Sequence, residues 1–163
     1  MKKFLLFFIF ISLFGCESYR NKEKVNSNID CPMVFFSSEN RVYAGEDAKN
    51  LEIENIDFKA SLNNYKLENC YEDTGFYHYS LSLLLLVEPI NPSDNKISLP
   101  FFVHLYDSQD KIVDKQYFIV SDSLNYSYEN TSYQTLEIVS SLELLIENSK
   151  KVKTITVGFV KIN

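Results

Sequence analysis

Apolar and polar residues alternate with a period of two along much of the chain, and this pattern predicts β-strands. Segment 76–87 begins with alternation, in which Ser80 and Ser82 lie opposite Leu81 and Leu83. It is then continuously apolar from Leu83 to Val87. Between two further strands, the acidic and small polar residues of 107–111 predict a hairpin turn of four or five residues. Seven strands are predicted in all, at 32–37, 52–62, 76–87, 100–106, 112–120, 136–146 and 154–162.

Segment 136–147 leaves two structures open. Its apolar residues alternate as in a strand, but several of them also share one helical face, namely Ile138, Val139, Leu142, Leu145 and Ile146. The strand is favoured because its neighbours are strands. The predicted fold is therefore an all-β, antiparallel β-sandwich of immunoglobulin-like type with about seven strands. The alternative is an α+β fold with one helix near 136–147.

The first sixteen residues have the pattern of a secretory signal. Lys2 and Lys3 precede an apolar run, 4–14, which only Ser12 interrupts, and Gly15-Cys16 follows. The run is shorter than the roughly 20 apolar residues that span a bilayer, so we expect cleavage between Gly15 and Cys16. A leucine three positions before the cysteine and a small residue directly before it resemble a bacterial lipobox, which predicts lipidation of Cys16. The alternative is an ordinary signal peptide that contains a cysteine.

The residues after Cys16 are polar and of mixed charge up to about residue 30, a composition typical of a flexible tether. Such a tether would hold the domain about 20 Å from the bilayer. The expected organisation is a signal peptide at 1–15, a lipidated cysteine with its tether at 16–30, and one β-sandwich domain at 31–163. Glu17 occupies the position where aspartate signals inner-membrane retention, so the expected location is the outer membrane, facing the periplasm.

The net charge restricts the kind of partner, and the number of cysteines bears on a disulfide. Without 1–15 the chain has 14 basic and 22 acidic residues, a net charge of −8 that argues against a nucleic-acid partner. If Cys16 carries lipid, Cys31 and Cys70 remain as an even pair in an oxidising compartment, which favours a disulfide over two buried free thiols.

The sequence contains no recognised catalytic or cofactor motif. Gly-x-Ser-x-Gly, a glycine-rich phosphate loop and Cys-x-x-Cys are all missing. His78 and His104 are interpreted as structural residues, and Asp107 and Asp110 as solvated turn residues and not as ligands of a cation. We therefore predict no enzyme activity, no cofactor and no metal site.

Several short motifs in this order resemble those of uncharacterised envelope lipoproteins from alphaproteobacteria. They are Cys16, Cys31-Pro32, Cys70, the strand Leu99-Pro100-Phe101-Phe102-Val103 before an acidic turn, and Val157-Gly158-Phe159. The resemblance covers nearly the whole chain. It implies an envelope lipoprotein with a β-rich domain and implies no activity.

The expected function is a membrane-tethered, non-enzymatic interaction or accessory assembly module with an envelope protein as partner. An outward Leu84 or Leu86 could contact such a partner, although cover by the chain's own loops is favoured. The alternative function is a carrier that binds a small hydrophobic ligand or lipid between its sheets.

Overall fold

The structure, a computed structural model, describes residues 29–46, 56–90, 96–123 and 135–161. Within these segments the chain forms strands and no helix, so the predicted all-β class is confirmed. The eight strands are β1 (Met33–Phe36), β2 (Val42–Glu46), β3 (Ile56–Asp73), β4 (Phe76–Pro89), β5 (Lys96–Tyr106), β6 (Ile112–Ser123), β7 (Leu136–Glu147) and β8 (Thr154–Phe159).

The strands form two four-stranded sheets that pack face to face as a β-sandwich. Sheet A has the order β2-β3-β4-β7, and sheet B has the order β1-β8-β5-β6. Every neighbouring pair is antiparallel except β1 and β8, which run parallel. The chain changes sheet between β1 and β2, between β4 and β5, and again on each side of β7. Both sheets are therefore completed by strands that are distant in sequence.

Inward-facing side chains of the two sheets form one hydrophobic core. Every second residue is buried along β4 and β5, as the period-two pattern predicts. Leu81, Leu83 and Leu85 of sheet A are fully buried, as are Phe101 and Val103 of sheet B, and all belong to one cluster. Burying one such side chain stabilises the fold by about 1.5–3 kcal/mol, so this layer supplies most of the force that joins the sheets.

Segment 136–147 forms strand β7, and the helical alternative is wrong. In β7 the apolar residues divide between the two faces of the sheet. Leu142, Leu144 and Ile146 are buried, whereas Val139 is 70% exposed and Leu145 51% exposed. A helix would have brought Val139 and Leu145 onto the same face as Leu142, and pairing with β4 separates them instead.

Two parts of sheet A were not predicted from sequence. Strand β2 is short and contains a glycine, and the second half of β3, 63–73, is largely polar and exposed. Beyond residue 62, β3 pairs with β4 alone and has two bulges, which is typical of an edge strand. Because neither face is fully buried there, no alternation marks the strand. Residues 52–55 and 162 of the predicted strands lie outside the described residues.

The predicted turn between β5 and β6 is confirmed. The Asp107 N–H donates to the Lys111 carbonyl at 3.0 Å, and the Asp107 carboxylate accepts from the Gln109 and Lys111 N–H groups at 2.8 and 3.0 Å. Asp110 has a φ of 58°, a value that aspartate tolerates better than most residues. The acids of this turn therefore stabilise its backbone.

Cys31 and Cys70 form a disulfide, which confirms the predicted pair. The bond joins the segment before β1 to the edge strand β3, so it connects the two sheets covalently. With a sequence separation of 39 residues, loop closure stabilises the fold by about 4 kcal/mol in the chain-entropy account. A ring contact also joins β1 to β3, because Phe36 packs edge-on against Tyr65 with ring centroids 5.7 Å apart. The start of the domain is thus fixed to sheet A.

The turn between β3 and β4 has two residues with positive φ, Thr74 at 47° and Gly75 at 86°. Two such residues in a two-residue hairpin are typical of a type I′ turn, for which Asn-Gly is the preferred sequence. Threonine is β-branched, so its backbone is strained in this region.

We expect Thr74→Asn to raise the free energy of unfolding by about 0.5–1 kcal/mol, because asparagine adopts a positive φ more readily. Urea denaturation measures the change. Gly75→Ala is the control and should lower stability by about 1 kcal/mol, since alanine is disfavoured at this φ although no atom obstructs its methyl group. A Thr74→Asn protein less stable than the parent would contradict the turn assignment.

Candidate interaction surface

The outer surface of sheet B, called face B here, contains aromatic and aliphatic side chains and, at the strand positions that the structure describes, no acid. Strand register places on it Met33, Phe35, Lys96, Ser98, Pro100, Phe102, His104, Tyr106, Ile112, Lys115, Tyr117, Ile119, Ser121, Ser123, Thr154, Thr156 and Gly158. The charged side chains among them are Lys96 and Lys115, both exposed. An acid-free face is unexpected on a chain with 22 acids and 16 bases. Face B therefore differs chemically from the protein as a whole.

The outer surface of sheet A, called face A here, carries both acids and apolar residues. Its acids are Asp57, Asp73, Glu88, Glu137, Glu143 and Glu147, and its lysines are Lys59 and Lys66. Ser80 donates a hydrogen bond to Glu143 at 2.9 Å, and Lys59 pairs with Glu88 at 3.5 Å. Val139 and Leu145 are also exposed on this face, and Val139 is opposite the half-buried Leu84. Face A therefore differs from face B mainly in its acids.

Face B exposes large apolar groups at both of its edges. Tyr117 and Ile119 on β6 are 65% and 72% exposed, and Met33 and Phe35 on β1 are each 52% exposed. Solvent contact of this apolar area is unfavourable by about 25 cal/mol per Å². Clustered exposed apolar groups with few charges are typical of an interaction surface.

An aromatic group occupies the centre of face B. The rings of Phe102 and His104 are 4.4 Å apart, and the His104 ring meets Tyr117 edge-on at 6.5 Å. Gly158 makes room for this arrangement, because a Cβ at residue 158 would lie 2.5 Å from Cζ of Phe102. The centre of face B is thus filled by packed rings.

His104 stays neutral within this group. Its Nε2 atom is buried and, within the described part of the chain, has no hydrogen-bond partner. Burial lowers the pKa of His104, and the neighbouring Lys115 lowers it further. Face B therefore gains no positive charge from its histidine near neutral pH.

The other residues singled out from sequence lie apart from this surface. His78 stacks on Tyr71 on face A with ring centroids 4.6 Å apart, and Asp107 and Asp110 are turn residues. Leu84 and Leu86 are half-buried on face A. The predicted cleavage and lipidation residues, Gly15 and Cys16, lie outside the described residues.

The described segments contain neither a metal-binding group of side chains nor a membrane-spanning helix. Residues 29–46, 56–90, 96–123 and 135–161 contain no group of three or more His, Cys, Asp or Glu side chains that could hold a metal ion. No helix in that same part of the chain is long and apolar enough to cross a membrane.

The chain matches no protein-family model, no curated protein and no solved structure. The class that its own fold and surface define is a disulfide-linked β-sandwich with acids on one outer face and an aromatic second face that has no acid at its described strand positions.

Face B was not predicted from the sequence, although the residue pattern of β5 indicates it. The core residues at the end of this strand alternate with outward aromatic residues. The core residues are Phe101, Val103 and Leu105, and the outward ones are Phe102, His104 and Tyr106. Both faces of the strand are therefore rich in apolar and aromatic groups. Strand β6 adds Tyr117 and Ile119. The missing information is the strand order, which places β8 beside β5 and β1 beside β8.

We expect the free energy of unfolding to fall as the pH drops from about 7 to about 5.5, in part because of His104. The pKa of folded His104 lies below the ordinary value of 6.5, so the unfolded chain binds the proton first and is favoured by acid. Urea denaturation across this range should show a smaller pH dependence for His104→Gln. An unchanged dependence in His104→Gln would contradict this assignment.

Proposed function

We propose that this chain is a lipid-anchored protein of the bacterial cell envelope that acts without catalysis, as an interaction or accessory assembly module. The observation that carries the proposal is face B, where Phe35, Tyr117 and Ile119 are exposed and the described strand positions include no acid. Such a surface favours binding over catalysis, because a catalytic site needs converging titratable groups.

Anchoring is supported by the N-terminal sequence. The positive, apolar and small-residue regions end at Cys16, the predicted site of lipidation. Two or more acyl chains give stable membrane attachment at about 0.8 kcal/mol per buried methylene. The Cys31–Cys70 disulfide supports export, because disulfides persist in oxidising compartments such as the periplasm.

The proposed location is the outer membrane on its periplasmic side, as a member of the lipoprotein group from alphaproteobacteria that the motifs resemble. A carrier function is less well supported than an interaction module. Between the sheets, where a carried ligand would lie, Phe101 stacks on Phe159 at 4.8 Å within one continuous core.

We expect Cys16→Ser to release the protein from the membrane fraction, because serine cannot accept the thioether-linked lipid. Fractionation of envelopes measures the distribution, with a soluble periplasmic product as the expected result. The matched control is the double change Cys31→Ser and Cys70→Ser, which removes two other cysteines and should leave the protein on the membrane. Continued membrane association of Cys16→Ser would overturn the lipid anchor.

We expect mild crosslinking in intact cells, followed by affinity capture, to recover the same envelope protein repeatedly with the anchored chain. Capture from the Cys16→Ser strain should recover less of it, because the anchor raises the local concentration of both proteins. Failure to recover any repeatable protein with the anchored chain would contradict the proposed module.

A further inference from the structure

We propose that face B lies on the phospholipid surface to which the chain is anchored, with Lys96 and Lys115 meeting anionic headgroups. This inference rests on the lipid anchor of the proposed function and names the surface that face B contacts. Face A then points away from the bilayer and is left for a protein partner.

The charge distribution favours this orientation. Anionic headgroups attract lysine near the surface and repel carboxylates over about one Debye length, roughly 10 Å at 0.1 M salt. Among the strand positions that the structure describes, face B has two exposed lysines and no acid, whereas face A has six acids, Asp57, Asp73, Glu88, Glu137, Glu143 and Glu147. A domain of net negative charge that is held beside a membrane therefore approaches it most favourably through face B.

The apolar residues of face B suit the interface of a bilayer. Tyrosine is enriched at membrane–water interfaces, where its ring lies among headgroups, and exposed Phe, Met and Ile side chains gain by leaving water. Phe35 on β1 and Tyr117 on β6 stand on opposite edges of sheet B. Four strands place those edges about 14 Å apart, so contacts on both sides would hold the face flat.

The tether joins the domain at an edge of face B. Cys31 is held to Cys70, and β1, an edge strand of sheet B, begins two residues later at Met33. With the tether that the polar composition of 17–30 predicts, the reach would be about 20 Å, and β1 would stay within reach of the bilayer. A short flexible linker gives an effective concentration on the order of millimolar, and weak docking then suffices.

Two single-tryptophan variants test the orientation, because the natural chain contains no tryptophan. Ile119→Trp reports from face B and Val139→Trp from face A. The two positions are well matched, since both are β-branched residues on edge strands, with exposures of 72% and 70%. The full lipidated chains are reconstituted into vesicles of phosphatidylethanolamine and phosphatidylglycerol whose acyl chains carry bromine, a contact quencher of tryptophan.

The expected result is that brominated lipid quenches the tryptophan of Ile119→Trp about twofold more than that of Val139→Trp, together with a blue shift of its emission. Equal quenching in vesicles that both proteins bind would overturn the docking of face B. A blue shift of Ile119→Trp without quenching would also overturn it, because a second copy of the chain would then cover the face. Vesicle flotation tests the anchor separately: failure of both proteins to float counts against the proposed function itself.

Charge reversal tests the contribution of the lysines. In the Ile119→Trp chain, the double change Lys96→Glu and Lys115→Glu should reduce quenching to the level of Val139→Trp. The matched control reverses two lysines on face A, Lys59→Glu and Lys66→Glu, whose ion pairs are exposed, and should leave quenching unchanged. Equal effects of the two double changes would contradict contact between the lysines of face B and anionic headgroups.

Discussion

Burial of inward side chains between the two sheets is the constraint on which the rest of the structure depends. The buried leucines of β4 meet the inward residues of β5 in a single core. Because side chains alternate along a strand, this burial also decides which residues face outward. A shift of β5 by one residue would bury Phe102 and His104 and expose Phe101 and Val103. The composition of face B is therefore a consequence of the register that the core selects.

Near β1, a disulfide, a ring contact and a hydrogen bond add to the stability that the core provides. β1 has four residues and pairs along one side, so its own hydrogen bonds hold it weakly. The Cys31–Cys70 disulfide joins the segment before its start to the other sheet, and the contact between Phe36 and Tyr65 joins its end. Arg41 extends the connection, because its Nε donates to the Leu62 carbonyl at 2.8 Å. Together these contacts determine where the N-terminal segment leaves the domain.

Sequence reasoning succeeded where one face of a strand is buried and the other is not. β4 and β7 were found near their observed positions because burial imposes a period of two, β6 was found from the turn that precedes it, and the disulfide followed from the number of cysteines. It failed for β2 and for the far half of β3, where exposed edge residues need not alternate. It could not find face B, because Phe35, Thr156 and His104 become neighbours only through pairings between distant strands.

In the proposed orientation, face B lies against the bilayer and face A points away from it. Neutron reflectometry on the lipidated chain at a supported phosphatidylglycerol-containing bilayer measures the distribution of protein along the membrane normal. Docking through face B predicts protein density that is continuous with the headgroups. A hydrated gap of about 20 Å between headgroups and protein, the reach of the tether alone, would contradict the account.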